Sequence, residues 1–263
     1  MIKKILILML ASILLFACGK KDESEIPEGT VTVEYRNFYL PPFADLFNTL
    51  NELQREDFDS VLDADYQKDT SDVFLASYNL GYLTADALIA TKSRNKSKLT
   101  EIASTMIDLS KLIGVKEDVQ KLSDELLSMI QQDRWEDLQT SLDKYKNEIE
   151  ISLYETQQYD LLTLVQIGGW TQGLYRICSL IDLNYSAPLT QMIDQKGILS
   201  GIIYNFAKIE NDEIKSRAWY GVIKTNYGEI ESIIRKSSDS VYPKQDIKLL
   251  IKLTNQINKA MVE

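Results

Sequence analysis

Between Tyr159 and Ile181 the chain holds thirteen apolar side chains in 23 residues and two charges, Asp160 and Arg176. A helix with so little polar surface cannot keep a wide face in water, so the remainder of the chain has to wrap around it. Within it, Gly168-Gly169-Trp170-Thr171-Gln172-Gly173 works against helix propensity at about 1 kcal/mol per glycine relative to alanine. Something in the fold must offset that cost. Gly169 and Gly173 lie four apart and share a face. One reading is a close helix crossing, with the helix containing Gly81 and Ala85, which has the same small-residue spacing, as the neighbour. The other is a ligand recess roofed by Trp170.

The predicted partner helix, 71–92, carries Asn79 and Asp86 in an otherwise apolar stretch. A carboxylate facing a core needs a cation or hydrogen-bond donors, because unpaired burial costs several kcal/mol. Arg176 is the cation within the central helix, so a pair or shared network between Asp86 and Arg176 is expected. The alternative places Asp86 at the edge of its helix face, in solvent.

Helical periodicity runs almost unbroken from residue 42. It predicts helices over 42–56, 71–92, 96–113, 116–132, 134–156, 158–182, 188–208, 212–236 and 244–261. The fold class is therefore all-α: an irregular bundle of about eight to nine antiparallel helices around a buried central one. Short connections make successive helices antiparallel neighbours. Gly114-Val115 reads as a glycine C-terminal cap with its apolar contact, followed by Glu117 and Asp118 at the positive end of the next helix. Asp133-Arg134-Trp135-Glu136 has the form of a capping box. Asn211 or Asp212 caps the penultimate helix, and Pro188 and Pro243 suit helix starts. Tyr78 to Tyr82, with Ala85 and Ala87, is faintly like a tetratricopeptide unit, but the spacing does not return 34 positions later, which favours a bundle over a repeat array.

Ahead of the bundle, Met1-Ile2-Lys3-Lys4 is basic and the twelve residues Ile5 to Phe16 contain one polar side chain, Ser12. Twelve helical residues span about 18 Å, short of a hydrocarbon core of about 30 Å, so this is a signal segment and not a membrane span. It closes with Leu15-Phe16-Ala17-Cys18, which resembles the lipobox of bacterial lipoprotein precursors; Phe16 is bulkier than is usual at its position. The resemblance implies cleavage before Cys18 and lipidation of its thiol, with an ordinary secretory signal as the alternative. The chain then divides into a signal peptide over 1–17, a lipidated Cys18 and tether over 18–41, and a single helical domain over 42–263. Within the tether, Val31, Val33, Tyr35 and Phe38 alternate with polar neighbours and predict one short extended segment, ended by Pro41-Pro42. Loss of Lys3 and Lys4 with the leader takes the net charge from −10 to −12. Gly19 after the cysteine is similar to the pattern of outer-membrane sorting, and Lys20-Lys21-Asp22-Glu23 to charged tags that carry some lipoproteins to the outer face.

The chain contains no histidine, which excludes Ser-His-Asp and Cys-His nucleophile systems and His-rich zinc sites. Its acidic balance is the wrong sign for nucleic acid. Cys178 stands alone and cannot staple the fold. The acidic stretch Asp57-Phe58-Asp59-Ser60-Val61-Leu62-Asp63-Ala64-Asp65 reads as a solvated loop; as an EF-hand it would need glycine at Leu62 and glutamate at Lys68. The basic cluster Lys92, Arg94, Lys96 and Lys98 suits a helix end and the next helix start. No glycine-rich phosphate loop occurs. No metal and no cofactor is expected.

Leu80-Gly81-Tyr82-Leu83-Thr84-Ala85-Asp86 and Gly168-Gly169-Trp170-Thr171-Gln172-Gly173-Leu174-Tyr175 resemble two motifs of a family of uncharacterised helical lipoproteins of Gram-negative bacteria. The likeness spans roughly residues 42 to 236 and implies an all-helical body without naming an activity. The expected function is that of a lipid-anchored binding or scaffold module, held on the membrane through Cys18 and meeting an envelope protein or a small ligand. Asn79, Asp86, Trp170, Gln172 and Arg176 are the candidate binding residues. The competing expectation is a carboxylate-based hydrolase acting on envelope glycans, which needs two solvent-open carboxyl groups about 5 to 9.5 Å apart.

Overall fold

The computed structural model describes residues 55–62, 70–237 and 239–261. The signal segment, Cys18, the tether and most of the helix expected over 42–56 lie outside the described residues. The described residues are built of helices, with no strand among them: α1 (Arg55–Ser60), α2 (Val73–Ser93), α3 (Lys96–Leu112), α4 (Glu117–Gln131), α5 (Trp135–Glu155), α6 (Tyr159–Leu183), α7 (Ala187–Thr190) running into a 3-10 turn at Gln191–Ile193, α8 (Lys196–Ala207), α9 (Asp212–Ser216), α10 (Ala218–Lys236) and α11 (Lys244–Ala260).

Two helices share the centre. α6 is buried along most of its length, as its composition demands, and α2 is buried continuously from Ala76 to Thr91. α2 is long and apolar enough to cross a membrane, yet 89% of its apolar window is covered by the bundle, which makes it a core helix. α1, α3, α5, α8 and α11 pack against this pair, α11 on α6 and α3 on α2, while α4 lies outside them against α3 and α5. Tyr78 stands beside Gly168, Gly81 beside Val165 and Gly169, and Asp86 beside Gln172 and Arg176, so α2 and α6 run parallel. α3, α4 and α5 return the chain between them, each against the one before it.

Glycine makes the crossing of this pair. A Cβ added to Gly81 would collide with the Val165 carbonyl and stand 2.7 Å from the Gly169 nitrogen. One added to Gly168 would collide with the Tyr78 carbonyl and stand 3.1 Å from the Tyr82 nitrogen. The expected neighbour is correct, but the contact face is turned by one residue: Gly168 carries it, Gly169 tolerates a Cβ 3.4 Å from Gly81 O, and Gly173 faces open space.

Helix ends show how the corners are made. At Gly114 (φ +75°) the Gly114 N–H donates to Lys111 O and the Val115 N–H to Ser110 O, the paired pattern of a Schellman cap, with Val115 buried behind it. Asp133 does not form the expected capping box. It takes a left-handed conformation (φ +57°) as the residue that ends α4, with Asp133 N donating to Ile130 O and Arg134 N to Met129 O. Its carboxylate pairs instead with Lys96 at 3.1 Å. Asn211 caps α9 through Glu213 N and Ile214 N.

Three more expectations need correction. The helix predicted over 188–208 breaks at Asp194 and Gln195, where the Asp194 carboxylate holds Lys196 and Ser240 and competes with helical hydrogen bonding. The helix over 212–236 breaks at Arg217, whose extended backbone lets its guanidinium reach both Glu213 at 2.7 Å and Asp72 at 2.9 Å, tying this corner to the start of α2. Asp57 and Asp59 sit on α1 and not on a loop, and Asp59 accepts from Asn95 Nδ2 at 2.7 Å.

The crossing is directly testable by urea unfolding. Gly81→Ala and Gly168→Ala should each destabilise the protein by about 1 to 3 kcal/mol or more through backbone overpacking. Gly173→Ala, with nothing to strike, should stabilise it by about 0.5 to 1 kcal/mol through helix propensity. Equal effects at all three positions would contradict this geometry.

Candidate functional site

One to two helical turns beyond the glycine crossing, the side chains placed between α2 and α6 are polar. Asp86 is 0% exposed and Arg176 2%. Arg176 Nε donates to Asp86 Oδ1 at 2.8 Å and Nη2 to Oδ2 at 2.9 Å, a two-point clamp. Gln172, one turn before Arg176, donates from Nε2 to Asp86 Oδ1 at 2.8 Å. Asn258 on α11 donates to Gln172 Oε1 at 2.7 Å, and the Tyr78 hydroxyl donates to Asn258 Oδ1 at 2.6 Å. At the other end, Arg176 Nη1 donates to the Val61 carbonyl just after α1. The chain of bonds thus joins α1, α2, α6 and α11.

Electrostatics follow from burial. Desolvation opposes the Arg176 charge, and Asp86 more than restores it, so the guanidinium stays ionised. Burial, with the Asp86 charge adding to it, pushes the Tyr82 phenol up; burial does the same for Tyr78 and Tyr227. Burial also raises the Cys178 thiol, which leaves it inert at neutral pH.

The sequence-level candidates divide accordingly. Asp86, Gln172 and Arg176 are brought together in one buried network. Trp170 does not roof a recess: its ring lies against Tyr227 with centroids 5.6 Å apart, and its Nε1 donates to Gln195 Oε1 at 2.9 Å. Asn79 is buried in the wall of α2. The space beside Gly168 is filled by the α2 backbone. An open cleft of about 400 Å³ lies further along α6, between Tyr175, Ser179, Asp182 and Leu183 on one side and Val61 and Ile251 on the other. Of the candidates, Arg176 alone borders it.

Several contributors escaped sequence reasoning. Tyr78 and Asn258 are 180 residues apart, and neither has a local pattern announcing a partner. Lys146 and Glu150 look like an exposed i,i+4 pair but are 5% and 3% exposed, with Nζ 3.4 Å from Oε1. Burial raises the Glu150 carboxyl, while Lys146 and the Gln166 side chain pull it back in part. The basic cluster is used locally: Lys96 holds Gln131 O and Asp133 at the end of α4, and Lys98 lies 3.7 Å from Glu101. Among the described residues no group of three or more acidic or thiol side chains is placed to hold a metal. No protein-family model matches the chain, and neither a curated protein nor a solved structure matches it significantly.

Two outcomes check this site. In a double-mutant cycle, Asp86→Ala and Arg176→Ala should each cost about 3 to 5 kcal/mol, with the double variant far less than additive, because a single truncation leaves a buried charge alone. Additivity would show that the two side chains do not interact. Glu150 gives a pH signature. Its native carboxyl titrates above the ordinary value of 4.5, so between those points the native state holds more proton than the unfolded one. That contribution is fully present below the ordinary value and is lost as pH rises through the native one. Chemical denaturation across that window should show stability falling with pH, and Glu150→Gln should flatten the slope.

Proposed function

We propose that this chain is a lipid-anchored helical protein of the bacterial envelope, of the kind the two glycine-containing motifs resemble, and that it acts by binding or scaffolding. The observation that carries the choice of binding over catalysis is the complete enclosure of Asp86, 0% exposed, between Arg176 and Gln172. A hydrolase of the two-carboxylate kind needs its acids open to substrate. The acid best placed by sequence for that role is instead a structural counter-ion. Within Gly168–Gly173, Gly168 likewise serves the helix crossing and Trp170 packs on Tyr227. In their place the described surface offers a cleft on the outer turns of α6.

Anchorage rests on Leu15-Phe16-Ala17-Cys18. Acyl chains at about 0.8 kcal/mol per buried CH₂, two or more on one cysteine, would hold the protein on a bilayer without any spanning helix. Gly19 following the cysteine supports the outer membrane as its address, and the −12 charge of the mature body supports a domain that stands off anionic lipid heads.

Metabolic labelling with an alkyne fatty acid tests the anchor. The native chain should carry label and sediment with membranes; Cys18→Ala should lose the label. Label retained by Cys18→Ala, or an unlabelled native chain in the culture fluid, would refute it.

A further inference from the structure

We propose that the groove between the start of α10 and the end of α11 binds a small aliphatic carboxylate. This rests on the binding reading and gives it a ligand class. The first turns of α10 lie beside the last turn of α11, and the open groove between them has a volume of about 650 Å³. That falls within the usual range for small-molecule sites, roughly 300 to 1,000 Å³.

Asn226 carries the argument. It lines the groove and is 7% exposed, yet its side chain makes no hydrogen bond among the described residues. The other amides buried to this depth, Asn79, Gln166, Gln172, Asn205 and Asn258, all have partners. Buried polar groups are ordinarily bonded, and neither amide atom of Asn226 is sealed from solvent, so the groove is where its partner has room to sit. Beside it, Thr225 does not return its hydroxyl to the carbonyl four residues back, as Thr84, Thr91 and Thr254 do, and keeps it for the groove.

The sign of the ligand follows from Lys259. Its ammonium, three donors and no acceptor, lines the groove and has no ion pair among the described residues. Around it the surface is locally basic: α11 carries four lysines against Asp246, and α10 has no acid before Glu229. Charges beyond about 8 Å are largely screened at physiological salt, so these neighbours outweigh the −10 of the whole chain. With a single lysine and no arginine in the lining, the groove matches one negative charge and not the two of a phosphate monoester. Ala218, Val222 and Ala260 supply an apolar wall for a short hydrocarbon body. The floor is Gly221, where an added Cβ would meet nothing within 4 Å, so packing does not call for glycine and the space stays open.

Calorimetric titration of the acylated protein in detergent, with micelles alone as blank, tests this using 3-methylbutanoate, its neutral amide and 3-methylbutylammonium. The carboxylate should bind, Lys259→Gln should weaken it about tenfold or more, and Asn226→Ala about threefold. Gly221→Leu should abolish binding by filling the floor while leaving the melting temperature unchanged or higher, because the new side chain strikes nothing and favours helix. Equal affinity for the neutral amide, preference for the ammonium, or no effect of Lys259→Gln would overturn the carboxylate assignment. Native affinity in a folded Gly221→Leu variant would overturn the groove as its place. Silence from all three probes would remove the groove as a ligand site and leave the anchor, read by fatty-acid labelling, standing.

Discussion

Backbone meets backbone where α2 crosses α6, and the rest of the interior is arranged around that contact. With Gly81 and Gly168 at the point of closest approach, the two helices lie nearer than any pair with side chains between them. The parallel course set there fixes which residues meet further along: Asp86 arrives opposite Gln172 and Arg176 and nowhere else. A methyl group at the crossing would push the helices apart along their whole shared length. The Asp86–Arg176 clamp would then lose its geometry before any apolar residue lost its cover.

A clamp of this kind is weak evidence for stability and better evidence for specificity. Two charges taken out of water roughly cancel their mutual attraction, whereas one of them left alone is severely penalised. In a core this apolar, sliding α2 along α6 by one turn would keep most hydrophobic burial and strand Asp86. The pair therefore selects the register in which Gly81 faces Val165 and Gly169, and the Gln172–Asn258–Tyr78 extension selects the placement of α11 against both. The polar residues that look most like a site are thus the ones that make the fold unique.

Legibility in the sequence varies with the range of the interaction. Burial of Tyr159–Ile181 and the pairing of Asp86 with Arg176 follow from composition, since few residues compete for those roles. The corner at Gly114 follows from glycine. The corners at Arg94, Asp133 and Gln157 use the same left-handed conformation without glycine, so nothing in their residue types sets them apart, and Asp133, in the sequence context of a helix start, ends a helix. The crossing face lies one residue from its expected place because Gly169 and Gly173 share a period that Gly168 breaks; which of three glycines bears the contact depends on helix rotation, a tertiary quantity. Tyr78 with Asn258 is a contact between distant segments with no local signature. The breaks at Gln195 and Arg217 arise from side chains reaching partners on other elements, Asp194 to Ser240 and Arg217 to Asp72.

Arg176 links the two halves of the functional picture. Its Nε and Nη2 are held by Asp86 in the core, and its Nη1 by the Val61 carbonyl, which forms a wall of the cleft. Rotation of the guanidinium away from Val61 would cost a charge-assisted bond to a buried carbonyl, so the wall is fixed as firmly as the core that supports it. The opposite wall is different in kind. Leu183 lies at the last residue of α6, Asp182 faces a lysine at more than hydrogen-bond distance, and both stand where the helix gives way to the turn at Asn184. The cleft is therefore held unequally, one wall tied to the core through Arg176 and the other ending at a helix terminus where Asp182 is ion-paired with Lys244.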